Sequence, residues 1–247
     1  MIATTSSLSD ILRDAPASVG VFHHYGLDYC CGGKASLEHA CGEKGLDTQK
    51  VLSEIMAKAD EDGPGTNLHL DLWDTDFLSQ YIIENHHRYL RNVLPLACAQ
   101  MSKVATKHGE KFSDSSAILQ LIEELQATLI IHLDEEEEGL FATFAGASDL
   151  QKMNVIIDHH VKDHEEVGQK LQRLRAITND FTPPSGACTT HRAAYDTMRR
   201  IYEDTMQHVY LENSVLFPKM ISDATISAAS HTSTASHAGA ACTIPLQ

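Results

Sequence analysis

With 34 acidic against 19 basic side chains, this chain of 247 residues carries a formal charge of -15 at pH 7, so a nucleic-acid surface is excluded and a cation is the better partner. No apolar run nears the roughly 18 residues of a membrane span, and residues 1–20 lack the basic start and apolar stretch of a secretory signal. A cytoplasmic chain with no membrane partner is expected, built as one core domain with a small module attached.

Residues 1–60 read as short helices broken by glycines: Leu8 to Arg13, Ala17 to Tyr25, a Cys-Cys-Gly-Gly turn, Ala35 to Ala40 and Thr48 to Ala59. Residues 61–73 read as a linker, opening with the turn-rich run DEDGPGTN that starts at Asp60. From residue 74 to 222 apolar residues recur at three and four spacing, which predicts an all-α, antiparallel four-helix bundle. Its helices are expected over Asp74 to Lys107, Ser115 to Ala145, Asp149 to Thr178 and Thr189 to Ile221, with Pro95 kinking or ending the first after Leu94. Residues 223–247, mostly Ser, Ala and Thr, are expected to form a disordered tail.

Two segments of the bundle repeat one another. HLDEEEEGLF from His132 and HVYLENSVLF from His208 agree at positions 1, 5, 9 and 10, which points to a duplicated hairpin. On an α-helix, residues four apart share a face, so His132 with Glu136, and His208 with Glu212, project together. Leu140-Phe141 and Leu216-Phe217 continue the apolar side, and an imidazole and a carboxylate facing an apolar interior are costly unless a cation satisfies them. In a lone copy the run Glu135 to Glu138 would read as a solvated face, and His39 with Glu43 has the bare spacing without the rest. The second copy, outside any charge run, turns the reading to metal.

Two helices supply only two His and two Glu, so the other two should contribute. The first carries His86-His87 and the third His159, His160 and His164. His87 precedes His132 by 45 residues and His164 precedes His208 by 44, which matches the hairpins in depth; His86, at 46, stays open. The set is then His87, His132, Glu136, His164, His208 and Glu212, with His160 a group that orients a ligand and His159 facing solvent. Four imidazoles and two bridging carboxylates suit a binuclear site, for which iron fits best, since zinc would be content with a single tetrahedral set.

The turn DYCCGGK at Asp28 to Lys34, Leu94-Pro95, TPP from Thr182, ACTT from Ala187 and LEN-x-VLFP from Leu211 resemble the RIC family (repair of iron centres, the YtfE/ScdA/DnrN/NorA group) from about Leu8 to Pro218. Aligned through Arg91 and Leu94-Pro95, the family's first-helix ligand falls on His87. The resemblance implies a hemerythrin-like bundle holding two non-haem iron ions, carboxylate- and oxo-bridged. It also implies a role in nitrosative or oxidative stress, helping to repair damaged iron-sulfur proteins by donating iron. Nitric oxide or dioxygen would be the small ligand, with nitric oxide binding or reduction as alternatives. A homodimer stays open. Where the family has Pro after the first Leu-Phe, this chain has Ala142.

Six scattered cysteines in a chain of this size read as reduced thiols. Cys30 and Cys31 follow an aromatic residue and precede two glycines. They are expected in a flexible turn able to approach another surface, which suits transfer of iron or electrons.

Overall fold

A computed structural model describes residues 2–61, 69–144 and 150–235. Helices α1 (Leu8–Asp14), α2 (Val19–Tyr25), α3 (Leu37–Glu43) and α4 (Thr48–Glu61) form the N-terminal module. Polar side chains before the helices stop the first free N–H groups: Ser7 caps α1, Ser36 caps α3, and Asp47 accepts from the amides of Gln49 and Lys50 at 3.0 and 3.2 Å.

Four long helices follow. Helix α5 runs Thr75–Ile82, Ile83–His87 and Arg88–His108; α6 runs Ser115–Glu135, Glu136–Phe141 and Ala142–Phe144; α7 is Leu150–Ile177; α8 runs Thr189–Leu211, Glu212–Leu216 and Phe217–Ala235. The middle segments of α5, α6 and α8 are π turns, with i→i+5 hydrogen bonding. Each helix packs against the next and α8 returns to α5, closing an antiparallel bundle with no strand among the described residues.

The core is built from Leu90, Leu94 and Met101 of α5, Leu121, Leu125 and Leu129 of α6, Val167, Leu171 and Leu174 of α7, and Met198 and Ile201 of α8, all buried. At ~1.5–3 kcal/mol for each large apolar side chain, this seam outweighs local preferences. Pro95 shows it: α5 neither stops nor breaks there but continues to His108, because Leu94, Ala97, Met101 and Val104 are held in the core on both sides of the proline. The module shares this core, with Leu8, Phe22 and Tyr29 in the same apolar cluster as the bundle and the ring of Tyr29 6.0 Å from Tyr210.

The C-terminal boundary differs from the sequence reading. The expected tail is helical as far as Ala235, since lengthening a formed helix through alanines costs little compared with nucleating one. Asp223 also accepts a hydrogen bond from Thr75 Oγ1 at 2.6 Å. Residues 236–247 lie outside the described residues. So do 62–68 of the linker, whose remainder includes a 3-10 turn at Leu70–Leu72. Ser115–Phe141 of α6 is long and apolar enough to cross a membrane, although no such run was expected; in this fold it is a bundle helix whose buried face carries His132 and Glu136.

Candidate metal centre

The π turns fall at the centre. Glu136 and Glu212 each open one, a single α-turn after His132 and His208, and His87 closes the third. An i→i+5 turn inserts one residue and shifts which side chains face inward. In α5 the adjacent His86 and His87 are both buried.

The structure brings all six sequence-chosen residues into one cluster, each at most 3% exposed. They form two sets of four donors sharing both carboxylates: His87 and His208 with Glu136 and Glu212, and His132 and His164 with the same two. Glu136 turns Oε2 to His87 Nε2 (3.5 Å) and Oε1 to His132 and His164 Nε2 (3.3 and 3.5 Å). Glu212 does the converse, with Oε1 2.8 Å from His208 Nε2 and Oε2 3.2 Å from His164 Nε2. Each carboxylate therefore spans both imidazole pairs, the arrangement of a bridging ligand.

The electrostatics favour a cation. Burial and the neighbouring Glu212 push Glu136 upward, but the imidazoles of His132 and His164 more than reverse this and hold it at about 2. Burial likewise opposes ionisation of Glu212, which His208, His164 and His87 hold well below the usual range. Burial lowers His164 and His87, yet both carboxylates raise them above the ordinary imidazole value, far above it for His164. His208 is lowered by burial. Both oxygens of Glu136 and Oε2 of Glu212 are buried without a hydrogen-bond donor. Ionised carboxylates in that state require positive charge, and four imidazole nitrogens converge where it would sit. The donor set fits a pair of borderline divalent ions.

Residues 79–220 match the hemerythrin HHE cation binding domain, and residues 4–59 match a domain of unknown function (DUF542). An iron-sulfur cluster repair protein ScdA of Staphylococcus haemolyticus is 31% identical over 222 residues, covering 89% of this chain and 99% of that protein. The chain belongs to the hemerythrin HHE family and, within it, to the ScdA/YtfE repair group. Iron-sulfur cluster repair proteins YtfE of an Enterobacter species and of Escherichia coli are 31% identical over 217 residues, covering 87% of this chain and 96% of each.

In this ScdA/YtfE-group chain the position after each shared glutamate holds a ring from the other helix of the same hairpin. Glu137 accepts from His87 Nδ1 at 2.9 Å and from Arg91 at 3.0 Å; Asn213 accepts from His164 Nδ1 at 2.9 Å. Such partners fix the ring and direct the opposite nitrogen at the metal. Sequence reasoning gave neither residue a role. The repeat carried the signal, since Glu137 and Asn213 are its sixth positions. His86 lies outside the set: its Nδ1 contacts Asp204 Oδ1 at 3.0 Å and its ring stacks on His208. His160 is buried with its ring 5.4 Å from His132, while His159 is exposed.

The Cys30-Cys31 turn departs from its expectation. It is docked on the bundle, its amides bound to Asp28 Oδ1 at 3.2 and 3.0 Å. Cys30 Sγ lies 3.3 Å from Met206 Sδ, and Cys31 Sγ lies 3.3 Å from the His164 carbonyl. Asn213 Nδ2 donates to the Cys30 carbonyl at 3.1 Å, so one amide ties the turn to a metal-set ring. Glycines permit the docking: a Cβ on Gly33 would fall 2.5 Å from the Tyr29 carbonyl, and one on Gly168 would fall 3.3 Å from Cys31 Sγ. The hydrogen bond to Cys31 and burial push the Cys30 thiol well above its usual value, whereas Cys31 is only part-buried. In native protein a maleimide is expected to modify Cys31 faster than Cys30. Peptide mass spectrometry after a short pulse measures both, and equal labelling would show that the turn leaves the bundle.

Proposed function

We propose that this chain holds two iron ions and donates iron to damaged iron-sulfur proteins. The observation that carries the reading is the pair of buried carboxylates, each offering one oxygen to each imidazole pair without a proton donor to satisfy it. The names of the relatives, aligned over nearly their whole length, supply the destination. When bound, iron supplies a ferrous cargo and coordination positions for a small diatomic ligand. The residues that would hold it are Glu136 and Glu212, shared between the two sides, with His87 and His208 on one and His132 and His164 on the other, while Glu137 and Asn213 fix two of the rings. Cys30 and Cys31 act as the redox or iron-transfer thiols once the turn opens toward a client. A cytoplasmic setting, with neither nucleic acid nor membrane as partner, accords with the net charge of -15.

Iron-loaded protein is expected to restore an enzyme whose cluster has been damaged, and its His132→Ala variant is expected not to. Equal recovery with both would sink iron donation from this centre. A second reading rests on donor number: four protein donors per set leave a six-coordinate ion room for nitric oxide or dioxygen, so capture or reduction of nitric oxide is the alternative. Nitrous oxide formed in anaerobic single turnover would favour it.

A further inference from the structure

The two halves of the centre differ on their outward sides. On the His87/His208 side His86 Nδ1 pairs with Asp204, and Glu137 with His87 and Arg91, while His208 Nδ1 has no partner among the described residues. Beside the His132/His164 set Asn213 holds His164 Nδ1, but two further buried imidazole nitrogens stand near carboxylates without a hydrogen bond. His160, 2% exposed, brings Nδ1 within 3.7 Å of Glu136 Oε1, and that nitrogen has no hydrogen-bond partner among the described residues. His132 Nδ1, also without one, stands 3.8 Å from Asp163 Oδ2. Further out, His159 Nε2 lies 3.6 Å from that same Asp163 oxygen and 3.7 Å from Glu135 Oε2, with the His159 and Glu135 side chains 60% and 50% exposed.

These donors form two triads sharing one carboxylate: His132, His160 and Asp163 inside, Glu135, His159 and Asp163 at the surface. Separations of 3.6–3.8 Å are too long for hydrogen bonds. They suit two donors of one ion, each about 2.1 Å from it. The ring supports differ in the same direction. His87 is backed by the carboxylate Glu137 and His164 by the neutral amide Asn213. An anionic partner makes an imidazole the stronger ligand, so the ion on the His132/His164 side is the more weakly held.

We propose that α6 and α7 carry a cation relay, in which the two triads pass a divalent metal ion between the His132/His164 half of the centre and solvent. His160 and Asp163 take hold as the inner carboxylates let go, and Asp163 then shares the ion with His159 and Glu135. Each step exchanges one oxygen or nitrogen donor for another, and the ion keeps its charge. The relay lies on the face of α7 toward α6, while Cys31 sits against Gly168 and the His164 carbonyl, so it does not pass through the thiols. It rests on the reading of iron as cargo.

The test uses full-length protein loaded with ferrous iron without oxygen, mixed in stopped flow with excess bipyridine, and compares wild type with His159→Gln/Asp163→Asn and His159→Gln/Glu135→Gln. Iron content is expected to stay the same, while release and reloading of the faster ion slow on the order of tenfold, the scale on which groups around a metal site act. Wild-type rates in both variants would overturn the relay. If Asp163→Asn lowers loading, the second pair, which leaves Asp163 and the six central ligands intact, still decides. Absence of release from wild type would instead sink iron donation, and the reloading rates would then judge the relay alone.

Discussion

Replacing Glu136 by alanine is expected to remove both metal ions, not one. Glu136 offers Oε2 to the His87/His208 set and Oε1 to the His132/His164 set, so its loss takes a donor and a negative charge from each. Four imidazoles and one remaining carboxylate are a poor match for two divalent charges. Elemental analysis after loading should fall from about two ions per chain to less than about half an ion, with helicity by circular dichroism retained. His86→Ala, which removes a buried histidine outside the set, is expected to keep both ions. Two ions retained in Glu136→Ala would mean that the carboxylate is not shared.

Stripping the metal should cost stability in a pH-dependent way. Three carboxylate oxygens at the centre are then left with imidazole nitrogens 3.2–3.5 Å away in place of a cation, at a cost of about 1–3 kcal/mol each. For a chain of this length that corresponds to a melting temperature lower by about 10–20 °C. The pH dependence follows from the shifts. Glu136 and Glu212 lie below their unfolded values, so their contribution is present above roughly pH 4.5 and lost as pH falls through the folded values, which for Glu136 is about 2. His87 and His164 lie above theirs, so their contribution is complete below about pH 6.5 and is lost as pH rises through the folded values. Metal requires those rings neutral, and its binding expels their protons. His208, lowered by burial, contributes less to that release. The gap in melting temperature between loaded and stripped protein should therefore widen from pH 6 to pH 8. A gap that is constant or narrows would show that the rings are neutral without metal.

Much of this centre was written in the chain. A repeat of His, Glu, Leu and Phe at fixed offsets records a duplicated hairpin, and α-helical geometry makes four residues one turn, so His132/Glu136 and His208/Glu212 follow from local rules alone. Histidines at matching distances in the partner helices gave His164, and His87 only with the family's alignment. The sixth position of the repeat was legible too, but Glu137 was hidden in a run of four glutamates. What lay beyond the sequence depends on contacts between distant segments. The π turns at His87, Glu136 and Glu212 depart from the 3.6-residue period that pattern reading assumes. Pro95 is overruled by a core contributed by all four helices. The Cys-Cys-Gly-Gly turn, flexible by composition, is held down by Met206, Asn213 and the His164 carbonyl, from parts of the chain more than 130 residues away. The sequence by itself determined which donors exist and which helices carry them, because spacing along a helix fixes a face. Only the tertiary structure decided that each carboxylate faces both imidazole pairs, that Glu137 and Asn213 hold one ring in each pair, and that His160 and Asp163 stand beside His132. Those properties belong to side chains from different helices meeting across the bundle, and no local period encodes them.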